Sequence, residues 1–198
     1  VLVRRGNNWS IGLKDNDSID NYGYVSFRLS SSEGVKEITS SAQPVFDNEF
    51  YSVMVHRVSA SGEWLTSDTG SQDVVYKLFV KKYAESRSTI SRESVSSLIV
   101  CGSNANEIPY NNSWTGSADT ITIGGPQIHA GAGAFYESLS GSMMEYRHWT
   151  TPLNEEAFDN HVASPISFNG NHPSASWTDL ITRYSFDDDK DLSESTWF

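Results

Sequence analysis

A Glu, an Arg and two His stand close together in SGSMMEYRHWTTPLNEEAFDNH, the stretch from Ser140 to His161. Carboxylates and imidazoles do acid–base work when they converge on one bond. Glycosidic hydrolysis needs two carboxylates flanking the scissile bond, about 5–9 Å apart. Glu145 has no acidic residue two or four positions later to share a strand face with it. The chain also shows no G-x-S-x-G nucleophile elbow and no His-rich metal motif. The expectation is that the chain is not an enzyme and that this stretch is architecture. On a strand, Met143, Glu145, Arg147 and Trp149 share one face, and Met144, Tyr146 and His148 share the other. The Met–Tyr face is the expected core side. Glu145 and Arg147 are then neighbours able to pair with each other or with cross-strand partners. His148 reads as a structural residue.

Loop acids offer a second chemistry. KDNDSIDN presents Asp15, Asp17 and Asp20 with Asn16 and Asn21, oxygen donors suited to calcium. It lacks the Gly and distal Glu of an EF-hand loop. FDDDKD presents Asp187, Asp188, Asp189 and Asp191 in the same way. Sugar binding is the third chemistry. It wants a flat ring to stack on a pyranose and amides to meet its hydroxyls. EIPYNNSWTGSAD supplies Tyr110, Asn112 and Trp114, and SGEWLTSD supplies Trp64. The competing reading is that a loop aromatic plugs its own loop. Cys101, alone of its kind, ends the apolar run SSLIVCG and reads as a buried, inert thiol. Sequons at Asn8, Asn16 and Asn111 are no more than an Asn- and Ser-rich chain holds by chance.

Strands must position these residues. Alternation of period two places Val25, Phe27 and Leu29 on one face of GYVSFRLS, and Trp9, Ile11 and Leu13 on one face of NWSIGLK. EFYSVMVHRVS, DVVYKLFVKKY, ADTITIGG and DLITRYSF read the same way. Polar, turn-forming clusters separate them. One helix is predicted near residues 154–163. Asn154 caps it, Glu155 and Glu156 favour its first turn, Leu153 and Phe158 staple its start, and Pro165 follows its end. The expected fold is all-β, a two-sheet antiparallel sandwich with that single helix.

The totals narrow the partners. The chain has 198 residues, 12% aromatic and 20% charged, and a formal net charge of −11. That charge disfavours nucleic acid and anionic membranes. No apolar run is long enough to span a bilayer as a helix. The terminal FDDDKDLSESTWF joins an acidic knot to aromatics, which points to packing on another domain or chain.

The order ITIGG, then FYESLSGSMMEYRHWTTPLNEEAF, resembles the end of a concanavalin A-like or laminin-G-like jelly roll. The matching residues are Ile121, Ile123, Gly124, Gly125, Phe135, Gly141, Glu145, Arg147, Trp149, Leu153, Asn154 and Glu156. FYSVMVHR and YKLFVKKY resemble two further strands of that superfamily, and the resemblance covers roughly residues 8–163. It implies a jelly-roll domain over 1–165. Residues 166–198 would be a C-terminal strand and acidic extension that completes the sandwich or leads to a next unit. The glycosidases of that superfamily carry a Glu-x-Asp-x-x-Glu strand, which this chain lacks. The wording from Met144 to Gly170, with SWTDLITRYSF, is similar to modules of tailed-bacteriophage virion proteins. That similarity implies a structural or adhesion module in a tail, fibre or baseplate, located in the virion or outside cells. Its partners would be neighbouring virion subunits or domains, with homo-oligomers among the arrangements. The alternative is a lectin-like domain that binds cell-surface glycan, with calcium as the candidate cofactor.

Overall fold

The computed structural model describes residues 1–59, 73–84, 89–100, 106–107, 109–110, 120–125, 127–128, 135–136, 139–172 and 178–186. Twelve strands and one helix lie among them. The strands are β1 (Val3–Arg5), β2 (Trp9–Asp15), β3 (Gly23–Ser31), β4 (Gly34–Thr39), β5 (Ser52–Ser59), β6 (Val74–Ala84), β7 (Thr89–Val100), β8 (Ile121–Ile123), β9 (Gln127–Ile128), β10 (Phe135–Tyr136), β11 (Glu145–Trp149) and β12 (Leu180–Ser185). The helix α1 spans Glu155–Ala163. The chain forms antiparallel sheets with one described helix, which agrees with the all-β expectation. No helix among the described residues is long and apolar enough to cross a membrane.

Two compact units emerge. The first is Val1–Lys81 with Arg92–Ser140, and the second is Lys82–Ser91 with Gly141–Phe198.

In the first unit, one sheet runs β4-β3-β2-β1-β8 and another runs β5-β6-β7. β3 sits inside its sheet, and Val25, Phe27 and Leu29 on one face are fully buried. Their alternation with Tyr24, Ser26 and Arg28 is the sequence cause. An apolar side chain every second residue gives a strand one dry face. β6 is buried on both faces, with Tyr76, Leu78 and Val80 on one and Val75, Phe79 and Lys81 on the other. The Phe27 and Tyr76 rings stack at 5.8 Å, so the dry face of β3 and the Tyr76 face of β6 form the core between the sheets. Burial pushes the Tyr76 phenol up to about 12. Trp9 joins from β2, 6.5 Å from Phe27. Burying a ring such as Phe27 contributes about 3 kcal/mol of transfer free energy.

In the second unit, β11 pairs antiparallel with β12, from Glu145↔Ser185 to Trp149↔Leu180. α1 begins as the sequence predicts. Asn154 is extended, and its Oδ1 accepts from the Ala157 N–H at 2.7 Å. Leu153 and Phe158 are both buried, as a staple requires, and Ala157, His161 and Val162 complete the buried face. The helix closes at Ser164, whose N–H donates to Asn160 O, directly before Pro165.

Candidate functional site

Of the predicted sugar-binding residues, Tyr110 alone is described; Asn112, Trp114 and Trp64 lie outside the described residues. Tyr110 is 6% exposed. Its N–H donates to Glu107 O at 3.0 Å. The Lys36 ammonium lies 5.4 Å from the ring centre and 2.8 Å from Glu107 Oε1. A Cβ on Gly34 would come 3.7 Å from the Tyr110 hydroxyl. Tyr110 is therefore a plug against the end of the β3–β4 hairpin, held by a cation and a strand turn.

The predicted calcium residues Asp15, Asp17 and Asp20 are all exposed. Their loop is closed by its own hydrogen bonds. Asp15 Oδ1 accepts from the Asn16 N–H at 2.8 Å, and Asn16 Oδ1 accepts from the Ser18 N–H at 3.0 Å. The Asn16 N–H donates to Tyr22 O, and Asn21 takes a left-handed φ of 62° to turn the chain into β3. Among the described residues no three His, Cys, Asp or Glu side chains gather closely enough to hold a metal. Cys101 and the acidic Asp187, Asp188, Asp189 and Asp191 lie outside the described residues.

Among the described residues a dense polar cluster lies on the β11–β12 ribbon, and it departs from the expected facing of β11. Met144 is 39% exposed, whereas the Glu145 and Arg147 side chains are 5% and 12% exposed. The cause is a partner thirty-eight positions away. Arg183 donates to Glu145 through both Nε (3.0 Å) and Nη2 (2.7 Å), a bidentate pair. Arg147 lies 3.5 Å from the same carboxylate. Arg147 and Arg183 are directly opposite across the strands. Two cations in that relation repel, and Glu145 between them removes the conflict.

The two guanidinium groups also fasten the chain that follows α1. Arg147 Nη2 donates to Pro165 O, and Arg183 Nη2 donates to Ile166 O at 3.2 Å. Arg183 further lies over the Phe168 ring at 5.5 Å. The fourth member is His161. Its ring stacks on Trp149 at 5.9 Å, and its Nε2 is 2.7 Å from Asn169 O. Burial, and then the nearby Arg147 charge, lower its pKa from the ordinary 6.5. Burial likewise lowers that of Arg147, while the Glu145 hydrogen bond raises that of Arg183. Every charged head here is committed to holding the ribbon, α1 and residues 165–169 together. The Glu145–Arg147 pairing follows from their spacing on a strand; Arg183 was the unforeseen partner, and its signal is only the alternation of LITRYS.

A second buried cation sits in the first unit. The Lys81 side chain is 1% exposed, with Nζ 3.0 Å from Glu93. Phe79 lies 6.0 Å beneath it, and His56 meets the same ring edge-on at 5.0 Å. No family model, curated protein or solved structure matches the chain.

Proposed function

We propose that this chain is a non-enzymatic structural or adhesion module of a tailed-phage virion protein, built as a concanavalin A-like or laminin-G-like jelly roll. One observation supports it most: among the described residues, the polar side chains that cluster are occupied by the fold itself. Glu145, Arg147, Arg183 and His161 fasten one ribbon and helix, and Tyr110 plugs a hairpin. Apolar side chains remain outward instead. Ile166 is 70% exposed, and Phe168, Ile181, Tyr184 and Phe186 stand outward with it. A surface of that kind serves packing against neighbours.

The decisive test is a glycan array probed with the folded domain, in calcium and again in chelator. Silence in both is the expected result. A saturable signal lost on chelation and in Trp114→Ala overturns the reading in favour of a calcium-dependent lectin.

A further inference from the structure

β12 is an edge strand without the usual protection. The Phe186 N–H donates to Met144 O at 3.0 Å, which makes Met144–Phe186 a hydrogen-bonded pair of the ribbon. Antiparallel pairs alternate. Tyr146–Tyr184 and His148–Thr182 are then hydrogen-bonded pairs too, and the N–H and C=O groups of Arg183 and Ser185 point away from β11. Among the described residues no strand lies on that side of β12. The stretch from Arg183 to Phe186 is exposed throughout. Edges are normally blunted by proline, projecting charge or a bulge. Here the irregularity falls at the Trp149 end of the pairing, leaving Thr182–Phe186 regular. There is no proline in β12, and its one charged head, Arg183, is folded back onto Glu145. A two-stranded ribbon is also marginal without a third strand.

We propose that β12 pairs with β12 of a second copy of this chain, antiparallel about a two-fold axis at Tyr184. The register follows from the ribbon itself. Tyr184 is the midpoint of the regular stretch, so this pairing engages all five residues from Thr182 to Phe186. It sets Arg183 against Ser185 of the other copy as a hydrogen-bonded pair, twice, so the outward groups satisfy one another. Tyr184 meets its own symmetry mate as a close, non-hydrogen-bonded pair. The ring row already present, Tyr146–Tyr184 at 6.2 Å and Tyr184–Phe186 at 6.5 Å, then continues across the joint. Centring on Arg183 instead would oppose two guanidinium groups. The small Ser185 side chain opposite Arg183 leaves its bond to Glu145 undisturbed. The result is a four-stranded sheet with the charged face on one side and an aromatic face on the other. This pairing goes beyond the virion reading and does not depend on it.

Sedimentation of the whole chain from micromolar to submillimolar concentration tests the pairing. A reversible monomer–dimer equilibrium is expected. Ser185→Pro removes an outward N–H on each copy and none that β11 uses, so the ribbon is kept. It should weaken the dimer by about tenfold or more, with the circular dichroism spectrum unchanged. Cysteine cross-linking in a Cys101→Ser background fixes the register. A non-hydrogen-bonded pair spaces its Cα atoms by about 4.5 Å, within disulfide reach. Tyr184→Cys should therefore oxidise to a covalent dimer, and Thr182→Cys should not. A chain that stays monomeric across the range overturns the proposal and leaves the edge to a different partner. So does cross-linking of Thr182→Cys as efficient as that of Tyr184→Cys.

Discussion

β3 and β11 both carry period-two alternation, and they bury opposite kinds of side chain. β3 turns Val25, Phe27 and Leu29 inward and leaves Tyr24 and Arg28 part-exposed. β11 buries the heads of Glu145 and Arg147, while Met144 just before it is 39% exposed. The difference lies in what each strand has across from it. β3 faces rings and branched aliphatics, for which dispersion and dehydration suffice. β11 has an arginine directly opposite an arginine, and a carboxylate positioned to join them. Burying charge costs several kcal/mol unless each head is paired and hydrogen-bonded. Here the pairing is nearly complete: of the three, only Arg147 Nε lacks a hydrogen bond at a buried atom. Apolar packing tolerates small errors of position, whereas a charged triad depends on each member.

The largest effect is expected where the apolar core is cut. Phe27→Ala removes a ring in contact with both Trp9 and Tyr76. It should lower stability by about 3–5 kcal/mol, read as the shift in the urea midpoint multiplied by the m-value. Glu145→Gln comes next. It keeps the size of the side chain but leaves Arg147 and Arg183 opposed without an anion. The expected loss is about 2–3 kcal/mol, under the fully buried case because the Arg183 side chain is 32% exposed. Amide exchange in β11 and β12 should report it. A loss below about half a kcal/mol, the scale of an exposed ion pair, would mean that the triad is no core at all.

The same contrast explains what could be read from the sequence. β3 was legible because local alternation and tertiary environment agree, whereas β6 was legible as a strand although both its faces, Lys81 included, are buried. α1 was legible because its signals are local: a cap at Asn154, a staple at Leu153 and Phe158, and Pro165 just beyond its end. The facing of β11 was not legible. The rule that apolar residues turn inward fails when a charge finds its partner in another strand, and the Glu145–Arg183 pairing spans thirty-eight positions. Tyr110 misled for a related reason. Loop context suggests an aromatic offered to ligand, yet Lys36 and Glu107 hold it buried. The loop acids Asp15, Asp17 and Asp20 have the composition of a cation site, and Asn16 and Asn21 give that loop its turn geometry.

The smallest effect, and the most selective one, is expected from pH. His161 is buried between Trp149 and Asn169 O, with Arg147 near enough to oppose a second positive charge. Its neutral form is the one that fits, donating from Nε2 to the Asn169 carbonyl. The folded pKa lies below the ordinary 6.5, so between the two values the unfolded chain binds a proton that the folded chain refuses. Stability from this group is therefore whole above about pH 6.5 and declines as the pH falls toward the folded pKa. Glutamine cannot titrate, but its amide still donates to Asn169 O. His161→Gln should thus flatten the acid limb of the stability curve by no more than one proton's slope, while costing little at neutral pH. Urea titrations of both proteins at several pH values between neutral and about pH 5 give the comparison directly. Equal slopes in the two proteins would show that His161 takes up its proton in place. A steeper acid slope in the wild type than in His161→Gln is the expected result, and it would show the polar core of the second unit yielding to acid at a group that the apolar core around Phe27 lacks.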